Sequence, residues 1–499
     1  MDDFAMSDTD TAAPSNAQAT PHLTLLEEAH RKRLHEAALE ILETAGVRIA
    51  RPEARALLEG AGAHPVEDDL LTIPRSIIED ALDSAPSRFT IYDRAGAPSM
   101  HMGEGKTYLS VGATNLTYLD PANHDHRDFT LEDIASATRL GDGLKNNDFV
   151  TTPGVVRQSA DLPVELVNHH EFIAMVTNTT KPLMVLIADG PTLGDIFEMA
   201  EAVVGGAEAL SERPFVVPYL NPVSPLMFNV ETIDKLLMCA DRGIPVVCQG
   251  APTVGGSSPV TIASAIALAA AESLCGLALS QLRRPGTPYI TGSVPLVMDM
   301  RTGNVAGSGP EMLLMMIATS ELAQYWGIPS AAVSGGSDSK APDEQAAFEP
   351  AFYMQGATLG GADLVFDSGS IECGLTFAPE IAVVADEVMG MYRRYQQGIS
   401  LDDESLALDV IREVGPAGFF LGEKHTLAHF REMWGPSLMS WEDRSTWEES
   451  GSKTMGQRAR ERAVQLITEH EVEPLPEAVV EAMTTVIETR RQTLVVEDD

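Results

Sequence analysis

The chain has 499 residues, 44% hydrophobic and 21% charged, so it has apolar mass for a sizeable core and is not a disordered polypeptide. Its 73 acidic residues outnumber 34 basic ones, for a formal charge of −39. A surface of that sign repels nucleic acid and anionic membranes, which excludes both as partners.

Residues 1–22 carry no basic stretch followed by an apolar run, so they read as a disordered acidic leader and not as a secretory signal. Residues 23–106 read as an α+β cap. Leu25, Ala29, Leu34, Ala37, Ala38, Ile41 and Leu42 fall on helical spacing, with Gly46 as the stop. Further helices are predicted over 52–60 and 74–82, and short strands over 88–92 and 98–102.

From 107 to 398 a rhythm takes over. Short apolar runs at 108–113, 149–155, 184–188, 215–219, 246–249, 289–294, 331–333 and 364–366 alternate with helical stretches. The helices are predicted near 131–144, 163–177, 192–205, 229–241, 259–282, 309–326, 344–360 and 381–397. Continuous apolar runs suit parallel strands buried on both faces. Eight strand–helix units predict an α/β fold, the (β/α)8 TIM barrel. An open doubly wound sheet is the alternative, but the GxGxxG fingerprint is missing after the first strand. The Ala-rich stretch 262–279 is interrupted by Glu272 and Ser273 and reads as a buried barrel helix, not a membrane span. Residues 399–499 form a C-terminal helical extension, with amphipathic helices at 458–470 and 477–491. It is expected to pack on the barrel and to support a homo-oligomer.

Cys239, Cys248, Cys275 and Cys373 form no CxxC pair and lie in apolar segments, which suggests a reducing, cytoplasmic location without a disulfide framework. Lysine is scarce, at eight of the 34 basic residues. Strong acidity keeps a protein soluble at high ionic strength, where the Debye length falls to about 3 Å at 1 M salt. A halophilic source is therefore expected, beside the plainer reading of an ordinary acidic bacterial protein.

Barrel chemistry clusters at the C-terminal ends of strands. Those ends carry Thr114-Asn115, Asp189-Gly190, Tyr219-Leu220-Asn221, Gln249-Gly250, Gly292-Ser293, Ser337-Asp338 and Phe366-Asp367. The predicted mouth is polar, acidic and poor in Lys and Arg, with Lys340 its one nearby lysine. Aromatics beside carboxylates suit a cation, and a quaternary ammonium gains about 0.5–2 kcal/mol per ring. Barrel-filling core is the competing reading of each aromatic. Gly255-Gly256-Ser257-Ser258-Pro259 precedes a helix and offers amides to an anion, or is a plain loop with an N-cap. No metal site is expected, because His169 and His170 are adjacent and His124 and His126 lack further ligands. A Ser nucleophile elbow with a His partner is also missing.

Ordered segments across the chain carry a resemblance. LHEAALEILETAGVRI (34–49), IPRSIIEDALDSAPSRFTIYDR (73–94), SVGATNLTYLD (110–120), NTTKPL (178–183) and LNPVSPL (220–226) come first. CQGAPTVGGSSPVT (248–261), SGGSDSKAPDEQAAFE (334–349), ECGLTFAPE (372–380) and HTLAHFREMW (425–434) follow. Together they resemble the trimethylamine methyltransferase family from about residue 23 to 470. The resemblance implies a (β/α)8 barrel that passes a methyl group from a methylamine or betaine to the cobalt of a separate corrinoid protein. Archaeal members carry pyrrolysine, expected here in or near 334–340. This chain has only standard residues, so it is similar to the non-pyrrolysine branch, which acts on quaternary amines such as glycine betaine, proline betaine or carnitine.

The resemblance implies no tightly bound cofactor, with cobalamin on a partner corrinoid protein as acceptor and a small quaternary or tertiary amine as substrate. Strand-end position selects the site residues. Asp338 and Gln249 are expected to be catalytic, and Asn115, Tyr219, Asn221 and Phe366 to bind substrate. Asp299 and Arg301, in the loop after the sixth strand, are candidates for a betaine carboxylate or for the corrinoid partner, or form a surface salt bridge. Two other readings compete. One is a barrel lyase or isomerase acting on a carbonyl substrate through Lys340, and the other is a non-catalytic osmolyte-binding protein.

Overall fold

A computed structural model describes residues 18–157, 162–333 and 335–497. Residues 1–17 of the expected leader, and Ser334 of the segment 334–340, lie outside them. Gln18–Ala19 form a short strand antiparallel to Ile399–Ser400, so the described end of the expected leader is paired backbone.

Eight parallel strands close into a barrel. They are β1 (Tyr108–Val111), β2 (Asn147–Thr151), β3 (Leu183–Val185), β4 (Val216–Leu220), β5 (Val246–Cys248), β6 (Tyr289–Ser293), β7 (Ser330–Val333) and β8 (Leu364–Ser368). β8 pairs back with β1 and leaves no free edge. Each of the eight predicted apolar runs supplies one of these strands. Every strand is buried along its length save for Val333 and Asp148, because the interior side chains face one another and the helices cover the outside.

The helices are α1 (Leu131–Gly143), α2 (Val164–Thr177), α3 (Gly190–Val204), α4 (Val230–Arg242), α5 (Ile262–Arg283), α6 (Pro310–Trp326), α7 (Glu344–Leu359) and α8 (Pro379–Gln396). Side chains at the strand–helix junctions start several of them: Thr130 caps α1, Asp189 caps α3, Asn229 caps α4 and Asp343 caps α7. α5 is long and apolar enough to cross a membrane by length and composition, yet its apolar window is 83% buried inside the protein. It lies between the barrel and the N-terminal helices Glu28–Thr44 and Arg75–Ser84.

A hairpin of Phe89–Tyr92 and Pro98–Met102 sends Ile91, Met100 and Met102 into the cluster that fills the barrel, with Phe149, Met184, Val217 and Val247. The His101 N–H donates to the Tyr108 hydroxyl at 2.9 Å, which fixes this plug at the N-terminal end of the barrel. The mouth at the other end therefore stays the open one. Two small sheets rise around it. Thr117–Leu119 and His126–Asp128 join Ser370–Ile371 and Thr376–Phe377 in one, and Thr253–Val254, Leu296–Met298 and Val305–Ala306 form the other. Helices Met455–Glu469 and Glu477–Glu497 pack outside the barrel, the first on α8 and α1, the second on α3 and α2.

Candidate functional site

A cavity of about 280 Å³ opens at the C-terminal ends of the strands. Its floor is aromatic. Tyr219 of β4 and Phe366 of β8 meet with centroids 5.4 Å apart at 69°, edge to face, and both line the space. Tyr353 of α7 joins the wall, its hydroxyl donating to the Gly309 carbonyl at 2.6 Å. Burial pushes the Tyr219 phenol up to about 12, so its ring stays neutral and electron-rich.

Two carboxylates reach the cavity. Asp338 follows β7, and its Oδ1 accepts the Gly307 N–H at 3.0 Å. Its own N–H is held at 2.8 Å by Glu349 of α7, which also takes the Ser337 hydroxyl at 2.5 Å. Asp367, the last residue but one of β8, lies in the left-handed region, φ 79°, where a non-glycine residue is uncommon. Its Oδ1 accepts the Ser370 hydroxyl. Its Oδ2 has no hydrogen-bond partner among the described residues. Gly336 makes that arrangement possible, since a Cβ there would stand 2.7 Å from Asp367 Oδ2. Burial pushes the Asp367 carboxyl up to about 7, against which the Ser370 hydrogen bond is the smaller effect. The Cys373 thiol beside Asp338 is likewise pushed up to about 12, first by burial and then by the Asp338 charge. Among the described residues, no Lys, Arg or His lines the cavity.

The strand-end expectations divide here. Asp338, Tyr219, Asn221 and Phe366 all line the cavity. Gln249 and Asn115 are fully buried one layer deeper. Gln249 Nε2 donates to the Tyr219 hydroxyl at 3.1 Å, and Asn221 Nδ2 to the Gln249 carbonyl at 2.7 Å, so Gln249 braces the floor from below. Gln249 Oε1 is buried without a hydrogen-bond partner among the described residues. Asn115 Nδ2 donates to Ser370 Oγ and to the Gly374 carbonyl, both at 2.9 Å, which orients the serine that holds Asp367. Asp299 and Arg301 sit on the tip between Leu296–Met298 and Val305–Ala306, outside the cavity wall. Arg301 pairs with Asp299 at 3.1 Å and its side chain is 90% exposed. Lys340 is exposed and donates to the Asp338 carbonyl at 2.6 Å. Asp189 is taken up by its capping role. In the Gly255–Pro259 segment the amides of Gly255, Gly256 and Ser258 are all bonded within the turn. His124 meets Glu380, and His126 meets Thr117 and Thr376.

Selection by strand-end position passed over Asp367, Tyr353, Glu349 and Cys373. Asp367 stood next to a chosen residue, and a signal for it was the Gly369 just beyond. Tyr353 lies mid-helix, and nothing in its local pattern separates a wall residue from core.

A closed ring of eight parallel strands with its cavity at their C-terminal ends belongs to the TIM-barrel class. The family model described as trimethylamine methyltransferase (MTTB) matches residues 3–495, and the chain belongs to that family. It is 32% identical to a trimethylamine methyltransferase MttB of Desulfitobacterium hafniense (strain DSM 10664 / DCB-2) over 458 residues, 91% of each chain. It is 29% identical to a glycine betaine methyltransferase of Desulfitobacterium hafniense (strain Y51), over 91% of this chain and 94% of that one. Among solved structures, the monomethylamine methyltransferase (MtmB) of Methanosarcina barkeri superposes with a TM-score of 0.51 at 12% identity, covering 91% of this chain and 89% of that one. That likeness is one of fold.

Proposed function

We propose that this methyltransferase moves a methyl group from a small quaternary ammonium to the Co(I) of a corrinoid carried by a separate protein. One observation carries the reading: Asp338 and Asp367 face a cavity floored by Tyr219 and Phe366, with no base among its described lining residues. Carboxylates and π-faces hold a tetraalkylammonium, and the closed walls strip its water and orient one N–CH3 bond toward the mouth. A space of about 280 Å³ suits such an ion and is too small for a corrin ring, so the acceptor approaches from outside and no resident cofactor is needed.

Reduced cobalt supplies the nucleophile. The N–C bond breaks, its electron pair stays on nitrogen, and the methyl leaves for the acceptor. A quaternary nitrogen departs as a neutral amine, so the chain needs no general acid. Asp338 and Asp367 then face an uncharged product that they hold less tightly than the substrate. The same reading keeps the chain a homo-oligomer built on its C-terminal segment, where Phe419, Leu421, Leu427 and Trp441 are exposed. Sedimentation as a monomer at micromolar concentration removes that part.

The test mixes purified protein, a reductant, Co(I) cobalamin or its carrier protein, and quaternary or tertiary methylamines. Formation of the methylcobalamin spectrum with at least one amine is expected. A flat spectrum with all of them overturns the reading. Binding of an amine without turnover on cobalamin would favour an osmolyte-binding protein.

A further inference from the structure

The cavity has places for a positive charge and, among its described wall residues, no Lys, Arg or His to pair with a negative one. A betaine carries a carboxylate a few bonds from its ammonium, and that carboxylate needs a base or a set of free N–H donors. Three groups near the mouth were candidates, and none brings an unpaired positive charge to the cavity. Arg301 is exposed on its hairpin and paired with Asp299. The amides of Gly255, Gly256 and Ser258 are spent inside their own turn. The N-terminus of α6 borders the cavity through Ser308 and Met312; Pro310 has no N–H, the Met312 N–H is bonded to the Gly309 carbonyl at 3.0 Å, and the amides of Ser308, Gly309 and Glu311 stay open among the described residues but bring no base with them. Its first turn also carries the acidic side chain of Glu311.

The cavity offers instead a set of groups suited to a hydroxyl. Asp367 Oδ2 is an acceptor with no donor among the described residues, and Asp338 supplies a second carboxylate. Ser308 Oγ, on the wall, is shielded from solvent and has no hydrogen-bond partner among the described residues. A ligand hydroxyl can donate to a carboxylate oxygen and accept from Ser308 at once. A ligand carboxylate there would face the Asp338 and Asp367 charges at short range in a poorly screened space.

We propose that this cavity selects a quaternary ammonium whose fourth arm is neutral and hydroxylated, a choline-type cation, over betaines. The inference rests on the methyl-transfer reading of the same site. At pH 8, where the Asp367 carboxyl is ionised, the discrimination is at its fullest.

The experiment is calorimetry of the full chain at pH 8 with tetramethylammonium, choline and glycine betaine, followed by the cobalamin assay with each. Choline is expected to bind at least about tenfold tighter than glycine betaine. The Ser308→Ala variant is expected to lower choline affinity several-fold more than tetramethylammonium affinity. Glycine betaine binding as tightly as choline overturns the selectivity. If betaine is then also demethylated, the methyl-transfer reading stands and only the arm preference falls. If none of the three cations binds, the cation site itself falls, and the selectivity with it.

Discussion

Replacing Asp367 with Asn separates the energetic cost of the site from its use. The carboxyl has an ordinary value of 3.8 and sits at about 7 in the folded chain. Between those values the folded state keeps a proton that the unfolded state has lost, so stability falls as pH rises through that window. Roughly three units at about 1.4 kcal/mol each give about 4 kcal/mol in all, of which about 2–3 kcal/mol fall between pH 5 and pH 8. Asparagine removes the titration while keeping an oxygen for the Ser370 hydroxyl, and it is among the side chains that tolerate the backbone at φ 79°. Urea midpoints of the two proteins at pH 5 to 8 should therefore diverge, the variant gaining about 2–3 kcal/mol on the wild type toward pH 8. Calorimetry with tetramethylammonium gives the functional half. An ionised carboxylate about 5 Å from the cation is worth about 3 kcal/mol at an effective dielectric of about 20. Wild-type affinity should rise from pH 6 to pH 8, while the variant stays flat and ends at least about tenfold weaker. Parallel stability profiles together with parallel affinity profiles would refute a buried, titrating, cation-facing Asp367.

Three further outcomes are expected. Phe366→Ala should weaken tetramethylammonium binding by about 2- to 30-fold, the value of one ring face, whereas Tyr219→Phe keeps its ring and should stay within about threefold; calorimetric Kd values decide. Glu272, buried on α5 and pushed up to about 7 by burial, accepts the Ser224 hydroxyl at 2.8 Å and the Leu226 N–H at 2.9 Å, anchoring the loop that carries Asn221. Glu272→Ala should cost about 2–3 kcal/mol in urea unfolding and raise the amine KM, and Glu272→Gln should recover most of both. Lys340→Ala should leave methyl transfer within about twofold, because its ammonium is exposed and, among the described residues, is bonded only to the Asp338 carbonyl. Loss of activity to background would replace the methyl-transfer reading with a Schiff-base lysine.

The barrel was legible because its signal is local and repeated. Runs such as 184–188 and 364–366 are continuously apolar, and the capping residues at Thr130, Asp189 and Asn229 mark where helices begin. Very short pairings were not legible. Val47–Ile49 runs parallel to Met227–Phe228, nearly two hundred positions away, and a three-residue strand has too few residues to show a period. The site was half legible for a related reason. Strand-end position tells which residues stand near the mouth, but not in which layer. Thr114 takes φ 54°, which turns the chain so that Thr114 faces the cavity while the Asn115 amide is spent on Ser370 and Gly374. The Gln249 side chain is tied to Tyr219 in the same way. Tyr353 and Glu349 reach the site from α7, whose register against β7 and β8 is a tertiary fact that no local window holds.

An uncompensated carboxyl in a buried wall is a poor choice for stability, and a neutral side chain of the same size would fold more firmly. Its presence makes sense if the missing partner arrives with the substrate. A quaternary ammonium supplies the positive charge that no described wall residue gives Asp367, and binding then releases a proton from a group poised near 7. Transfer of the methyl removes that charge, because the amine leaves neutral. The amine leaves as an uncharged base, so until a proton reaches it the attraction that drew the substrate in does not retain the product. Under the proposed chemistry, capture and the first step of release are thus tied to one change of charge at a single nitrogen.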